Sequence, residues 1–275
     1  MPPPEHEDCL TMTAPIVMFL PAHDEEATVA GVVARAPVAV GGHPVEVVVV
    51  DDGSTDATAA LAAQAGATVH SLGTNRGLGA AVREGLRLAV ERGAVAAAFL
   101  DADGEYAPDE LATLVEPILD GRADYVVGSR FAGRPRTMRP HRWFGNRVLT
   151  AGVRVLVRRW GVRGLTDGQS GYRALSAEAA AHAEVIHDFN YAQVLTLDLL
   201  AKGFRYAEVP ISYRFREHGE SFVRLGTYMR RVLPAIRHEL RSPAIRQAAS
   251  VLDHEATEPV AGRPPAPCVE GAVGG

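Results

Sequence analysis

The sequence holds only two cysteines, Cys9 and Cys268, one near each end. That excludes a disulfide framework and makes a cytoplasmic setting the default expectation. Long hydrophobic runs are missing as well. No apolar stretch approaches the roughly 20 residues that span a bilayer. The opening MPPPEHEDCLTMTAP has no basic region followed by an apolar one, so no signal peptide is expected. Lysine is rarer still: Lys202 stands alone among 28 basic residues. What is present is ordinary for a globular protein. The chain has 275 residues, 47% hydrophobic and 22% charged, enough for one large domain with or without appendages.

The formal net charge of −5 conceals a division. Residues 1–120 carry 5 Lys and Arg against 19 Asp and Glu, whereas residues 121–250 carry 22 against 10. Chance placement on solvated faces is one explanation. The other is a front half that handles cations and an arginine-rich back half that handles anions.

The front half alternates in pattern. IVMFL (16–20), VEVVVV (45–50), ATVHSL (67–72), AVAAAFL (94–100) and DYVVGS (124–129) read as strands. Helical spacing falls between them, over 25–36, 56–65, 78–92 and 109–120. Short, continuously apolar strands separated by helices predict an α/β fold with a mostly parallel sheet covered on both faces. Sites in such sheets lie beyond the carboxyl ends of the strands, where Asp51, Asp52, Asp101 and Asp103 fall. Beyond Arg130 the spacing predicts a helix over 142–162, a loop at TDGQSGYR, and a helix within HDFNYAQVLTLDLLAKG closed by Gly203. Strand material follows in FRYAEVPISYRFR, then a basic helix over 225–240 kinked at Pro234. A single domain over 14–242 is expected, with a disordered segment at 1–13 and a mostly disordered tail at 243–275, rich in Pro, Gly and Ala.

FLDADGEY (99–106) ends an apolar run in Asp101 and Asp103, with Glu105 two residues further on. An EF-hand calcium loop starting at Asp101 needs glycine at its sixth position and glutamate at its twelfth. Tyr106 and Ala112 stand there and exclude it. A phosphatase of the haloacid-dehalogenase type also uses two aspartates spaced by one residue, but on its first strand and followed by a hydroxyl residue. A hard divalent cation, Mg²⁺ or Mn²⁺, fits better, with Asp101 and Asp103 as ligands and Glu105 as a further candidate. Such ions take carboxylate oxygens and keep positions open for phosphate oxygens. Solvated loop acids before the helix at 109–120 are the bland alternative.

The acidic pair does not stand alone. PAHDEE (21–26), VVVVDDGSTD (47–56), NRGLGAA (75–81), DAD (101–103), GSR (128–130), DGQSGYR (167–173) and REHGES (216–221) follow one another in order. This set resembles inverting glycosyltransferases of family 2 with the GT-A fold, a Rossmann-like α/β domain, and within them the dolichyl- and polyprenyl-phosphate mannosyltransferase group. The resemblance covers about residues 14–225. Asp24 stands where that family usually has asparagine, and Phe222 where it often has a basic residue.

The resemblance implies that Pro21, Ala22, Glu25 and Asp52 line a nucleotide pocket, with Gly77, Gly79, Ala102, Ser170 and Ser221 as further substrate contacts. Physically, Glu25 and Asp52 can accept hydrogen bonds from ribose hydroxyls or base N–H groups. Gly77 and Gly79 permit close backbone approach or simply a tight turn. Loss of a nucleoside diphosphate builds negative charge that metal and arginine can stabilise. Arg130, Arg173, Arg214 and Arg216 are the candidates. Asp167 has two possible duties. A sugar or alcohol acceptor requires a general base. A lipid phosphate is already ionised, and Asp167 would then position arginine or acceptor.

The helix at 142–162 bears on that choice. At about 100° per residue, Arg147, Arg154 and Arg158 share a stripe, and Val148, Leu149, Val155, Leu156 and Trp160 share the broad remaining face. A membrane-interface helix has this pattern, as does a core-packed amphipathic one. The expected activity is metal-dependent transfer of a hexose from a GDP-mannose or UDP-glucose type donor to a polyprenyl phosphate, peripherally at the cytoplasmic membrane face. A soluble hydroxyl acceptor and a non-catalytic nucleotide-sugar-binding module are the alternatives. No nucleic-acid partner is expected.

Overall fold

A computed structural model describes residues 13–132, 140–158, 162, 164–186, 188 and 191–214. Both cysteines, Trp160, Arg216, Ser221, Phe222, the helix expected at 225–240 and the tail lie outside the described residues, as do the side chains of Val148, Leu149 and Leu156.

The elements run β1 (Ile16–Ala22), α1 (Val29–Ala34), β2 (Ala39–Val40), β3 (His43–Asp51), α2 (Thr58–Gln64), β4 (Thr68–Ser71), α3 (Leu78–Glu91), β5 (Ala96–Phe99), α4 (Leu111–Leu119), β6 (Tyr125–Ser129), α5 (Pro140–Val157), β7 (Arg173–Ser176), α6 (Ala177–His182), α7 (Ala192–Ala201) and β8 (Tyr206–Pro210). A 3₁₀ turn, Pro108–Glu110, leads into α4. The sheet order is β2-β3-β1-β5-β7-β6-β8, with β4 also paired to β3. β4, β3, β1 and β5 run parallel, as do β6 and β8. β7 enters antiparallel between β5 and β6. The α/β, mostly parallel architecture expected from the sequence is present.

Burial explains the continuous apolar runs. Successive residues of β1 pack on opposite faces, as a strand's two-residue period requires. Met18 and Leu20 join Val29, Val32, Leu111 and Leu114 from α1 and α4 on one side. Val17 and Phe19 join Val82, Leu86, Leu195 and Leu199 from α3 and α7 on the other. Gly85 lets α3 press onto β1, because a Cβ there would lie 2.2 Å from the Phe19 ring.

The helix expected at 25–36 begins only at Val29, since Asp24, Glu25, Glu26 and Thr28 are committed to hydrogen bonds with residues 54–58 and Ala102. The amphipathic pattern of α5 resolves into a packed side and an exposed one. Val153 and Val157 are buried with Leu165, Leu197 and Leu200, while Arg147, Val155 and Arg158 are exposed. Arg154 Nε donates to the Leu165 carbonyl at 2.9 Å. No helix among the described residues is long and apolar enough to cross a membrane.

Candidate active site at the carboxyl edge of the sheet

The loops leaving β1, β3 and β5 emerge side by side, because these strands are parallel neighbours. They are laced together. Asp24 Oδ1 accepts from Thr55 N at 2.8 Å, Glu25 N donates to Thr58 Oγ1 at 2.8 Å, and Glu26 Oε2 accepts from Ala57 N at 3.1 Å. Thr28 Oγ1 donates to the Ala102 carbonyl at 2.8 Å and lies 3.3 Å from Glu25 Oε2, tying the first loop to the third. Asp24 has φ 53°. Asparagine and aspartate both tolerate this left-handed backbone better than other side chains, so aspartate fits where the resembled family has asparagine.

Pro21, Ala22 and Asp52 are buried at the strand ends, and Glu25 is half-buried. Both Asp52 oxygens hold backbone: Oδ1 accepts from Arg76 N at 2.6 Å and Oδ2 from Gly77 N at 2.8 Å. Asp52 thus shapes the loop entering α3. That loop is gripped from the other side too. Gly79 N donates to the Asp188 carbonyl at 2.8 Å, and Gly77, at φ 92°, has no room for a Cβ beside that same oxygen.

Asp101 and Asp103 are half-buried beyond β5, with Ala102 buried between them. Asp103 Oδ1 accepts from Glu105 N at 3.0 Å. Glu105 turns elsewhere: its Oε2 accepts from the Tyr213 hydroxyl at 2.8 Å and its carbonyl from Arg214 N at 2.8 Å. Arg214 itself is exposed. Among the described residues no three His, Cys, Asp or Glu side chains gather as a metal-holding group.

The basic half reaches the same edge because β7 runs backwards. Phe99 pairs with Arg173, so the loop before β7 meets the loop after β5. Gly171 N donates to the Tyr106 hydroxyl at 2.8 Å, and a Cβ on Gly171 would lie 2.7 Å from Asp101 Oδ2. Burial pushes the Tyr106 phenol up to about 12; Arg130 opposes this and the Asp101 and Asp167 carboxylates reinforce it. Tyr106 therefore stays protonated at neutral pH.

Arg130 and Asp167 form a buried bidentate pair. Nε donates to Oδ2 at 2.7 Å and Nη2 to Oδ1 at 2.8 Å. Asp167 Oδ2 also accepts from Arg130 N at 3.1 Å, and Oδ1 from Gln169 N at 3.2 Å. An ionised carboxylate has about four acceptor sites, so all those of Asp167 are occupied, at 0% exposure. Nη1 of Arg130 makes no hydrogen bond to a described residue, and Cζ sits 5.3 Å from the Tyr213 ring centroid.

Arg173 is fully buried below this layer. It donates to the carbonyls of Ser170 at 2.8 Å, Ala192 at 2.8 Å and Gly168 at 3.2 Å, to Thr196 Oγ1 at 3.0 Å, and to the Tyr125 hydroxyl. It holds the 168–173 loop from beneath and presents no surface to a ligand. Ser170 is buried as well, its Oγ accepting from Tyr172 N at 3.3 Å. Sequence reasoning missed Tyr106, Tyr213 and Glu208. Their only signal is a polar or aromatic side chain on the inward register of a strand or strand-end loop, which is visible once pairing is known.

A twisted α/β sheet with an acidic edge meeting an arginine–carboxylate layer at its strand ends is the architecture of a GT-A glycosyltransferase. The chain belongs to glycosyl transferase family 2, whose family model matches residues 18–179. It is 35% identical over 191 residues to the undecaprenyl-phosphate mannosyltransferase of Micrococcus luteus, covering 64% of this chain and 74% of that one. It is 33% identical over 189 residues to the polyprenol monophosphomannose synthase of Mycolicibacterium smegmatis, covering 64% and 69%. Among solved structures, the glucosyl-3-phosphoglycerate synthase of Mycobacterium tuberculosis, in complex with Mn²⁺, UDP and glucosyl-3-phosphoglycerate, superposes with a TM-score of 0.62 at 24% identity, covering 84% of this chain and 81% of that one.

Proposed function

We propose that this glycosyltransferase moves a hexose from a GDP-mannose or UDP-glucose type donor to a polyprenyl phosphate, with inversion at the anomeric carbon, and that residues 14–242 form the catalytic unit. The observation that carries this reading is the state of Asp167. Its lone pairs are filled by Arg130 and two backbone amides, so it has no site left to take a proton from a hydroxyl. A phosphate oxygen needs no deprotonation. It attacks the anomeric carbon, the bond from that carbon to the diphosphate oxygen breaks, and the nucleoside diphosphate leaves with the electron pair. The two bacterial relatives named for polyprenyl-phosphate mannose transfer support the same acceptor class.

The residues take these parts. Pro21, Ala22, Glu25, Asp52, Gly77, Gly79 and Ala102 frame the nucleotide, with Asp52 acting by fixing the 75–77 loop. Arg130 turns its remaining N–H groups toward a substrate anion, and Arg216 and Ser221 add contacts from beyond the described residues. Asp167 orients Arg130. Arg173 and Ser170 hold the loop that carries Asp167. Asp101 and Asp103 would hold Mg²⁺ or Mn²⁺. The pair suits such an ion, which takes one or two carboxylates and completes its shell with water and substrate phosphate; Glu105, whose Oε2 accepts from the Tyr213 hydroxyl, is the further candidate. When bound, the ion supplies positive charge to the departing diphosphate. The exposed Arg147 on α5 and Arg158 just beyond its end would rest against an anionic membrane surface, where a polyprenyl phosphate resides.

The test is turnover of GDP-mannose, UDP-glucose and UDP-N-acetylglucosamine with undecaprenyl phosphate in detergent, beside 3-phosphoglycerate as a soluble acceptor, with and without chelator. Lipid-linked product that vanishes with chelator or in Asp103→Ala is expected. Product formed only on the soluble acceptor would replace the lipid reading, and full activity in chelator would end the metal assignment.

A further inference from the structure

We propose that Glu208 is a positioning residue that sets the orientation of the Arg130–Asp167 pair; this rests on the reading of Arg130 as the group that meets the substrate anion. Glu208 lies on β8, opposite Val127 of β6, two residues before the end of that strand. Its carboxylate is crowded with donors from the loop before β7 and with one from its own strand. Oε1 accepts from Thr166 N at 2.8 Å, Asp167 N at 3.2 Å and the Tyr206 hydroxyl at 2.6 Å. Oε2 accepts from Thr166 N at 2.9 Å and Thr166 Oγ1 at 2.5 Å. One side chain therefore grips the backbone amide of Asp167 and of the residue before it.

The same carboxylate reaches Arg130 by a second route. Thr166 Oγ1 lies 2.6 Å from Ser129 Oγ. An ionised carboxylate only accepts, so Thr166 spends its proton on Glu208 and must accept from Ser129. Ser129 then has only lone pairs left, and these accept from Phe131 N at 3.2 Å and Ala132 N at 3.1 Å. The direction of every hydrogen bond from Glu208 to the 129–132 turn follows from the charge on Glu208. That turn carries Arg130. Both halves of the buried pair are thus fixed by one anion, Asp167 through its amide and Arg130 through the serine–threonine relay. A glutamine would present an N–H₂ where an acceptor is required. It would reverse or break the relay without changing the size of the side chain.

A merely structural tie between β8 and the loop would lower stability and leave substrate constants alone. Steady-state kinetics with undecaprenyl phosphate and the donor that turns over, on Glu208→Gln and Glu208→Asp, separate the two. Glu208→Gln is expected to raise the acceptor KM roughly tenfold, the equivalent of one charge-assisted hydrogen bond, with the donor KM unchanged and partial recovery in Glu208→Asp. A readout independent of turnover is the Arg Nε–H spectrum. The Arg130 signal, identified by its loss in Arg130→Lys, should shift and lose protection from exchange in Glu208→Gln. Unchanged acceptor KM together with an unmoved Arg130 signal overturns the proposal. If Glu208→Gln does not fold, Thr166→Val, which cuts the relay and keeps both backbone contacts, decides by the same two measurements. If Arg130→Lys itself leaves the acceptor KM unchanged, the assignment of Arg130 to the substrate anion fails, and the Nε–H signal alone still judges Glu208.

Discussion

Gly171 lies against Asp101 so closely that a Cβ on the glycine would sit 2.7 Å from Oδ2 and 3.3 Å from the Tyr106 ring. Gly171 is not among the positive-φ glycines, so its backbone would accept alanine. The carboxylate is what excludes a side chain. Gly171→Ala should displace Asp101, lowering turnover by up to about 10²-fold, as misplacement on the ångström scale does, and costing about 1–3 kcal/mol from overpacking. Mn²⁺ affinity by calorimetry should fall in parallel. Wild-type affinity and turnover would show that Asp101 is free to move aside without consequence.

Removing either member of the Arg130–Asp167 pair leaves a buried charge unpaired. Asp167→Asn or Arg130→Met should each destabilise by about 3–5 kcal/mol, the range for breaking a buried ion pair from one side. The double variant Arg130→Met/Asp167→Leu should recover most of that loss, because neither charge remains to be desolvated. Turnover should not return with stability. Denaturant melts and initial rates on the three proteins check both halves. Activity in a stable double variant would mean that the pair serves the fold alone.

Asp124 and Arg205 clamp the starts of β6 and β8, with Arg205 Nε donating to Oδ2 and Nη2 to Oδ1, each at 2.8 Å. The Arg205 hydrogen bonds hold the Asp124 carboxyl below the usual carboxylate range, against a smaller opposing effect of burial. Because the folded-state value is depressed, the clamp stabilises fully above the unfolded-state pKa of about 3.9 and is lost as pH falls through the folded value. Asp124→Asn should therefore melt below wild type at neutral pH, with the gap closing as the solution is acidified. A gap that stays constant into strong acid would remove the ionic contribution.

Arg147 on α5 and Arg158 just beyond its end are exposed, and Arg154 Nε donates to the Leu165 carbonyl. Arg147→Glu with Arg158→Glu should weaken sedimentation with phosphatidylserine vesicles, each basic residue near such a surface contributing about 1 kcal/mol. Arg154→Glu should instead lower thermal stability. Equal vesicle binding by the double variant and wild type would detach α5 from any membrane role.

Much of the scaffold is legible in the sequence. Strands buried on both faces must be apolar at every position, so β1, the end of β3, β5 and β6 read as unbroken runs. Acids placed directly after such runs had to fall at the carboxyl edge of a parallel sheet. Asp52, Asp101 and Asp103 were located by that argument alone. The antiparallel β7 was not legible, because a four-residue strand between a loop and a helix carries no periodicity that shows its direction.

What the sequence by itself determined is therefore the order of elements and the edge on which the acids stand, because periodicity records burial and strand ends follow from it. Only the tertiary structure decided what each polar group does. It paired Asp167 with Arg130 across 37 residues, buried Arg173 beneath the site, turned Glu105 to Tyr213, and gave Glu208 its place behind Asp167. The physical reason is that a buried charge or donor must find its partner wherever chain crossings bring one. Those crossings join strands far apart in the chain, so no local pattern announces them.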